Sequence, residues 1–326
     1  MERRFILKPK VYITRKIPDE FMAKIKSECD VKVWSEEDIP VPRDILEAEI
    51  AEIDGLLCLL TENIDESIIE KASHLRVISN MAVGYNNIDI EAAKNKRITV
   101  TNTPGILTDT TADLTFALLM AASRRIIESN EFLKMGKWKT WSPFQLTGQD
   151  VYGATLGIIG MGRIGEALIK RAKGFSMNCI YYNRTRKTHL EEEHDIKFEE
   201  LDHLLQIADF VCILTPYTPE TKNLISEREL KLMKSTSILI NTARGGIVNE
   251  AALYKALTNG EIWAAGLDVF EQEPINNSHP LMALPNVVAL PHIGSASVKT
   301  RMKMAELAVD NLLLGVKGIT PNSVIV

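Results

Sequence analysis

The chain has 326 residues, of which 45% are hydrophobic and 25% are charged, and its formal net charge is −5. This length is sufficient for two domains with separate hydrophobic cores. The slightly acidic balance excludes the strongly basic composition of proteins that bind nucleic acid or anionic membranes, so neither partner is expected.

The sequence predicts a cytoplasmic protein without metal or disulfide sites. Residues 1–9 carry charges but no apolar core of the length that a secretory signal needs, and no later apolar run reaches about 20 residues. Cys29, Cys58, Cys179 and Cys212 lie far apart in the sequence, and the six histidines show no ligand spacing. We therefore predict buried thiols and no bound metal ion.

Strand-like and helix-like segments alternate through the first hundred residues. Strands are predicted at residues 11–14, 31–34, 53–60, 77–82 and 99–102, and helices at 18–29, 65–72 and 88–96. This alternation predicts an α/β domain in which helices cover both faces of a parallel sheet.

The segment Ala82–Asn87 joins a predicted strand to a predicted helix. A ligand crevice outside the carboxyl end of that strand would lie here, and Gly84 permits close approach of the backbone to a ligand. An ordinary strand-to-helix turn explains the segment equally well.

One long helix is predicted from Thr108 to Met135, with the length of a connector between two domains. The segment after it contains Trp138, Trp141 and Phe144 outside any periodic core pattern. Exposed aromatic side chains of this kind indicate a protein interface. Packing within their own domain is the alternative, and we favour an arm that forms a dimer.

A glycine-rich turn dominates the middle of the sequence. A short apolar run ends at Gly160 and passes into an amphipathic helix, with the spacing G-x-G-x-x-G. In such units the glycines permit a tight turn, close approach to a pyrophosphate and close packing of helix on strand, and the phosphates lie at the helix N-terminus. This pattern predicts a dinucleotide site. Its predicted contacts are Gly160, Met161, Gly162, Arg163, Ile164 and Gly165.

The next predicted strand ends at residues 183–187, which read Asn-Arg-Thr-Arg-Lys. Proteins that bind the ribose 2′-hydroxyl of NAD carry a carboxylate here, whereas cations with small hydrogen-bonding side chains suit a 2′-phosphate. We therefore predict NADP(H), with NAD(H) as a weaker alternative, bound by Asn183, Arg184 and Thr185. The alternative explanation is a solvated basic loop.

Alternating strands and helices continue to a last amphipathic helix at residues 297–314. Because an open parallel sheet binds its ligand at strand ends, further cofactor contacts are predicted there. They are Leu214, Thr215, Pro216, Thr242, Ala243, Asp268 and Gly294. For Asp268, a structural role in ordering the neighbouring loop is the alternative.

Three ionisable residues, Arg244, Glu273 and His292, lie at or just beyond strand ends of this second unit. Hydride transfer to a carbonyl leaves an alkoxide, and histidine can donate a proton to it near neutral pH. Glu273 would orient the imidazole and favour its protonated form, and Arg244 would bind the carboxylate of a 2-keto acid. The structural alternatives are a helix-capping loop for Arg244, a solvated charge for Glu273 and a satisfied strand-end position for His292. The other five histidines, including His194, are expected at the surface.

Six stretches carry a family resemblance: NMAVGYNNID (80–89), TADLTFAL (111–118), GIIGMGRIG (157–165), NTARGG (241–246), GLDVFEQEP (266–274) and LPHIGS (290–295). In this order they resemble the D-2-hydroxyacid dehydrogenases. Within that family the sequence is similar to glyoxylate/hydroxypyruvate reductases and to the related 2-ketogluconate reductases. The resemblance spans essentially the whole chain.

The resemblance implies an NADPH-dependent oxidoreductase that reduces glyoxylate or hydroxypyruvate, small 2-keto acids, to the D-2-hydroxy acid. It implies a catalytic triad of Arg244, Glu273 and His292, with His292 as the proton donor. Arg244, His292 and the backbone N–H groups of the loop at Val83 and Gly84 would bind the substrate.

The resemblance also implies two similar doubly wound parallel-sheet domains with a cleft between them. Residues 1–104 and 295–326 would form a discontinuous, flavodoxin-like substrate domain, and residues 105–294 a Rossmann domain that binds NADP(H). An arm around residues 136–150, which includes Trp138 and Trp141, would make the protein a homodimer.

Reduction of 2-ketogluconate is the nearest enzymatic alternative. Oxidation of phosphoglycerate fits less well because no further regulatory domain follows, and oxidation of formate would leave the glutamate–histidine pair without a role. The same fold also serves as a dinucleotide-sensing, corepressor-like scaffold that recruits proteins, and a turnover assay separates that class from the enzymes.

Overall fold

The structure, a computed structural model, describes residues 8–326. Residues up to Leu107 form one compact unit together with Ser297–Val326, and Thr108–Ala296 form the other. Within the described residues, no helix combines the length and the apolar character that crossing a membrane requires.

The described part of the chain contains twelve strands and twelve α-helices. The strands are β1 (Lys10–Ile13), β2 (Asp30–Val33), β3 (Gly55–Cys58), β4 (Val77–Asn80), β5 (Thr99–Thr101), β6 (Thr155–Ile159), β7 (Asn178–Tyr182), β8 (Lys197–Phe198), β9 (Phe210–Ile213), β10 (Ile238–Asn241), β11 (Ala264–Leu267) and β12 (Val287–Ala289). The helices are α1 (Asp19–Glu28), α2 (Arg43–Ile50), α3 (Glu66–Lys71), α4 (Ile90–Asn95), α5 (Thr108–Ser123), α6 (Ile126–Lys134), α7 (Arg163–Lys173), α8 (Thr188–His194), α9 (Leu201–Ile207), α10 (Glu227–Leu232), α11 (Glu250–Asn259) and α12 (Val298–Val316).

The first unit contains a five-stranded parallel sheet in the order β2-β1-β3-β4-β5. This is the strand order of flavodoxin-like folds. Val11 and Ile13 of β1 pack in a core with α12, whereas Tyr12 between them packs in a second core on the other face. Successive strand residues thus face two layers of helices, which confirms the predicted parallel sheet covered on both sides.

The second unit contains a seven-stranded parallel sheet in the order β12-β11-β10-β9-β6-β7-β8. The chain starts in the middle at β6, proceeds outward to β8, and then crosses back to β9, so the second unit has the predicted Rossmann arrangement. The strand order reverses between β6 and β9. In such sheets the ligand crevice lies outside the carboxyl ends of those two strands.

The four cysteines are buried free thiols, as predicted. Burial raises the pKa of Cys29 and that of Cys179 to about 11. Both thiols therefore remain protonated at neutral pH and are poor nucleophiles.

The prediction of one helix over Thr108–Met135 is wrong, because the chain breaks between α5 and α6. Arg125 at the break has a φ angle of +52°, in the left-handed region that a regular helix does not use. The carbonyl oxygen of Ser123 accepts a hydrogen bond from the Gln149 N–H at 2.9 Å. A Cβ atom at Gly148 would lie 2.1 Å from that oxygen. The returning chain thus occupies a carbonyl that a continuous helix would need.

Candidate active site

The turn between β6 and α7 contains the three glycines of the predicted phosphate site. Gly160 has a φ angle of +104°, and a Cβ atom there would lie 2.5 Å from the backbone nitrogen of Thr215. A Cβ atom at Gly165, in the first turn of α7, would lie 3.0 Å from the Gly160 carbonyl oxygen. At Gly162, which caps α7, the corresponding space is open. The turn is therefore tight on the protein side and open at the helix N-terminus.

The residues that follow β9 lie directly beside this turn. The N–H of Leu214 donates a hydrogen bond to the Ile159 carbonyl oxygen at 2.8 Å, and Thr215 is the residue against which Gly160 packs. Pro216 is exposed. The predicted contacts from the glycine turn and from the end of β9 are thus together at the switch point of the sheet.

Asn183 connects the basic segment to the glycine turn. Its Oδ1 accepts a hydrogen bond from the Met161 N–H at 3.3 Å, and its Nδ2 donates to the Thr185 carbonyl oxygen at 2.8 Å. Arg184 and Thr185 are exposed. The segment predicted to bind the 2′ position of the cofactor therefore lies next to the predicted pyrophosphate site.

Arg186, another cation of this segment, is bound by Glu191 of α8. Its Nε and Nη2 lie 2.8 and 2.7 Å from the two carboxylate oxygens. Tyr181 donates a further hydrogen bond to Glu191 at 2.7 Å. The hydrogen bonds from Arg186 and Tyr181 lower the pKa of Glu191 to about 2. Glu191 was not identified from the sequence, because its partners become neighbours only when α8 forms.

Arg244 follows β10 in a turn that is held by a buried amide. Asn241 is 2% exposed, and its Nδ2 donates a hydrogen bond to the Arg244 carbonyl oxygen at 2.9 Å. A Cβ atom at Gly245 would lie 1.8 Å from the Phe270 carbonyl oxygen. This close contact holds the turn with Arg244 against the segment that follows β11. Asn241 was also missed in the sequence, where it reads as the last residue of an apolar strand.

Glu273 and His292 form a direct hydrogen bond, with 2.6 Å between Oε2 of Glu273 and Nδ1 of His292. The other oxygen of Glu273 accepts from the Phe270 N–H at 3.0 Å. Burial opposes ionisation of Glu273, but the hydrogen bond and charge of His292 outweigh it and lower its pKa. An ionised carboxylate only accepts hydrogen bonds, so Nδ1 of His292 is the donor. This arrangement leaves Nε2 of the imidazole for a substrate.

Burial and a nearby carboxylate act in opposite directions on Arg244. Burial lowers the pKa of Arg244, and the charge of Glu273 partly restores it. An arginine nevertheless stays charged in proteins. Arg244 therefore supplies a partly desolvated positive charge, which binds a carboxylate more strongly than an exposed one does.

Asp268 orders the backbone after His292. It is fully buried, and its two carboxylate oxygens accept hydrogen bonds from the N–H groups of Ile293 at 2.8 Å and Gly294 at 2.7 Å. His292 itself has a φ angle of +54°, which is uncommon for a residue other than glycine. The structure thus gives Asp268 a role in ordering this loop, which was the alternative considered for it. The cofactor contacts predicted for Asp268 and Gly294 stay predictions.

Thr242, another predicted cofactor contact, has its hydroxyl bonded to the protein interior. Thr242 Oγ1 lies 2.6 Å from Oγ1 of Thr115 in α5, and both side chains are buried. The carbonyl oxygen of the adjacent Ala243 accepts a hydrogen bond from Nη1 of Arg244 at 2.7 Å. A ligand contact by Thr242 would therefore use its backbone.

In the first unit, the loop with Val83 and Gly84 is fixed by two asparagines. Asn102 donates to the Val83 carbonyl oxygen at 2.8 Å, and Asn80 donates to the Gly84 carbonyl oxygen at 2.9 Å. In a trans peptide the N–H points opposite to the carbonyl. The N–H groups of Gly84 and Tyr85 therefore point away from these two anchors, as an anion-binding loop requires.

His194, expected at the surface, is buried and only 7% exposed, so that prediction is wrong. It is the last residue of α8, in which Leu190 and His194 form the buried side. No helix was predicted for this segment. Without the helix, the spacing of four residues that turns both side chains inward could not be recognised.

Comparison with known proteins places these features in a family context. Residues 116–294 match the family described as D-isomer specific 2-hydroxyacid dehydrogenase, NAD binding domain. A glyoxylate reductase from Pyrococcus horikoshii is 50% identical over 323 residues, which is 98% of this chain and 96% of the relative.

Two solved structures cover nearly the same length. The TT0316 protein from Thermus thermophilus has a TM-score of 0.90 and 42% identity, and the match covers 97% of this chain and 100% of that one. An NADPH-dependent glyoxylate/hydroxypyruvate reductase from Sinorhizobium meliloti, in complex with NADP and malonate, has a TM-score of 0.85 and 30% identity, with 98% of this chain and 97% of that one covered.

Proposed function

This chain belongs to the D-isomer specific 2-hydroxyacid dehydrogenase family, and we propose that it reduces glyoxylate, and also hydroxypyruvate, with NADPH as its preferred cofactor. The observation that carries the proposal is the 2.6 Å contact between Glu273 and His292, in the same unit as the turn that bears Arg244. The glyoxylate reductase of Pyrococcus horikoshii, at 50% identity, supports the choice of substrate.

The second unit has the features that a dinucleotide requires. The space at Gly162 is open at the N-terminus of α7, where unpaired N–H groups and the helix dipole favour phosphates. The glycine turn and residues 183–185 and 214–216 would hold NADP(H). When bound, its nicotinamide supplies the hydride for the keto carbon.

His292 is proposed as the proton donor of the reduction. Its Nδ1 faces the ionised carboxylate of Glu273, which stabilises the imidazolium form. Nε2 then carries the proton that passes to the carbonyl oxygen while the keto carbon accepts the hydride, so a hydroxyl group forms and His292 becomes neutral. Asp268 keeps the loop of His292 in place.

Arg244 is proposed to bind the carboxylate of the keto acid through two parallel hydrogen bonds. Its turn is fixed by Asn241, and its Nη1 donates a hydrogen bond to the Ala243 carbonyl oxygen at 2.7 Å. The guanidinium is therefore held before the substrate binds, which favours a productive geometry. The N–H groups of the loop at Val83 and Gly84 remain predicted partners of the same carboxylate. A small 2-keto acid would present a carboxylate to Arg244 and, on the adjacent carbon, a carbonyl to His292.

The proposed preference for NADPH rests on the segment after β7. Residues 183–187 contain no carboxylate, and Arg184 is exposed beside the glycine turn. The Sinorhizobium meliloti enzyme, which is described as NADPH-dependent, has the same fold at 30% identity.

We also propose that two copies associate through the segment after α6. Trp138, Trp141 and Phe144 are 55%, 77% and 86% exposed, and large apolar side chains exposed together are typical of a protein interface. We propose that these side chains pack against the same segment of a second copy.

The function is tested by initial rates with glyoxylate, hydroxypyruvate, pyruvate and 2-ketogluconate, each with NADPH and NADH. We expect glyoxylate and NADPH to give the highest kcat/KM. Faster reduction of 2-ketogluconate would identify the alternative enzyme, and no turnover with any acid would favour a scaffold.

The His292→Ala variant tests the mechanism in the same assay. We expect kcat to fall by about 10²–10⁴-fold, the usual effect of losing a general acid, while NADPH still binds because other groups hold it. Binding is measured by the change in NADPH fluorescence. A variant that reduces glyoxylate within a few-fold of the wild-type rate would exclude His292 as the proton donor.

A further inference from the structure

Three side chains on α7 and α8 meet at a site that takes no part in the proposed reaction. Glu193 and His194 end α8, and Glu166 lies in the first turn of α7. One nitrogen of His194 and one oxygen of each carboxylate lie within 4.8 Å of one another. The histidine is buried, Glu166 is partly exposed and Glu193 is exposed.

Within the described residues, Nε2 of His194 has no hydrogen-bond partner although it is buried. Its neighbours are Oε1 of Glu166 at 3.6 Å and Oε1 of Glu193 at 3.8 Å. Both distances exceed those of N–H···O hydrogen bonds. A buried imidazole nitrogen without a hydrogen-bond partner lowers the stability of the folded state. A ligand bound between these three atoms would remove that cost.

A metal ion has the size that this gap requires. Two ligand atoms that each lie about 2.1 Å from a tetrahedral zinc ion are about 3.4 Å apart. The nitrogen of His194 lies 3.6 Å from the oxygen of Glu166 and 3.8 Å from that of Glu193, and all three atoms lie within 4.8 Å of one another. A small movement of the exposed Glu193 side chain would bring its oxygen to the spacing of metal ligands. A hydrogen bond would instead require these atoms to approach to about 3 Å.

The type of ligand atom indicates the class of ion. One imidazole and two carboxylates suit zinc and related divalent transition metals, whereas calcium and magnesium prefer oxygen ligands alone. Lys170 lies 3.5 Å from Oε1 of Glu166, and an ion with two positive charges would compete with it for this carboxylate. A water molecule can complete the coordination, because Glu193 faces solvent.

We propose that Glu166, Glu193 and His194 bind a divalent transition-metal ion, with zinc as the representative, that links α8 to α7. Helix α8 directly follows the segment proposed to bind the cofactor's 2′-phosphate, and its Glu191 holds Arg186 of that segment. The ion would therefore secure the helix that supports this segment.

The test is titration of the chelator-treated, dialysed full-length protein with zinc chloride, by calorimetry and by thermal unfolding. We expect one zinc ion per chain. At a free zinc concentration ten times the Kd, the Tm should rise by about 3–6 °C. Glu193→Gln should weaken binding at least about tenfold, since even the loss of an outer partner of a metal ligand has that effect. His194→Asn should abolish the binding.

The matched controls are Glu192→Gln and His189→Asn, which change exposed residues of the same helix outside the cluster. Both should bind zinc as the wild type does. Glu193 is 63% exposed, so its variant decides the question even if replacement of the buried histidine disturbs folding. Absence of stoichiometric binding to the wild type, or equal binding by Glu193→Gln, would overturn the proposal.

Discussion

At the scale of single residues, the carboxylate of Glu273 is hydrogen-bonded to the proposed proton donor, His292. The pKa of Glu273 lies below its ordinary value, so the group is ionised at neutral pH. Glutamine at this position keeps a hydrogen-bond acceptor for His292 but removes the charge that stabilises imidazolium.

We therefore expect the basic limb of the kcat/KM profile for glyoxylate reduction to move to lower pH in Glu273→Gln. The variant should lose its proton donor earlier as pH rises. Glu271→Gln is the control, because Glu271 contacts the backbone of Glu250 instead of His292. Superimposable profiles for wild type and Glu273→Gln would remove Glu273 from the proposed pair.

The lowered pKa of Glu273 also has a consequence for the stability of the folded protein. A carboxyl group whose folded pKa is lowered stabilises the folded state above its ordinary pKa, about 4.3, and this contribution disappears as pH falls through the folded value. The stability difference between wild type and Glu273→Gln should thus be largest near neutral pH and shrink on acidification. Urea unfolding midpoints between pH 3 and 7 measure it.

Arg244 allows a separate test of substrate binding. Lysine keeps the charge but lacks the planar pair of donors that fixes a carboxylate. We expect Arg244→Lys to raise the KM for glyoxylate and to lower kcat, because the keto carbon is no longer held in position. Arg228→Lys, at an exposed ion pair with Asp202, should leave both constants unchanged. Unaltered kinetics in Arg244→Lys would mean that other groups hold the carboxylate.

At the scale of secondary-structure elements, the turn after β7 is proposed to choose the cofactor. One charge-assisted hydrogen bond to the 2′-phosphate contributes roughly 1.5–3 kcal/mol, about 10- to 150-fold in affinity. Arg184→Ala should therefore reduce the ratio of kcat/KM for NADPH over NADH by this factor. Arg186→Ala should reduce it less, because Glu191 already holds that guanidinium.

A double change should reverse the preference. Asn183→Asp keeps the acceptor for the Met161 N–H and adds the carboxylate that binds a ribose diol, and Arg184→Ala removes a phosphate partner. Together they should favour NADH at low salt. If the wild-type ratio of kcat/KM for NADPH over NADH is near one, or if the double variant leaves this ratio unchanged, these residues do not distinguish NADPH from NADH.

The two sheets could be predicted from the sequence, whereas the break after Ser123 and the burial of His194 could not. Apolar runs that end in glycine or polar residues identified both parallel sheets, because buried strands and their turns depend on local composition. The break after Ser123 depends on Gln149, and the burial of His194 depends on a helix with few apolar residues. Asn241 and Glu191 likewise act through partners that become neighbours only in the fold. Such contacts leave no periodic signal in the sequence.

At the scale of the whole molecule, the exposed aromatic segment predicts the assembly. We expect the protein to sediment with the mass of two chains, and a variant with Trp138, Trp141 and Phe144 changed to serine to sediment as one chain. These side chains are exposed, so the folded unit itself should remain intact. Ile39→Ser, at an exposed apolar residue of the other unit, is the control. A wild-type monomer would contradict the prediction.

The hydrogen bond from Gln149 to Ser123 has an evolutionary consequence. It joins the two ends of residues 124–148, so this segment of the second unit begins and ends at almost the same point. Doubling the length of such a closed excursion costs only about 0.6 kcal/mol in entropy. Insertions and deletions can therefore accumulate there while β6 and the glycine turn stay in place. The proposed contact between two copies can thus change during evolution without any change in the proposed catalytic residues.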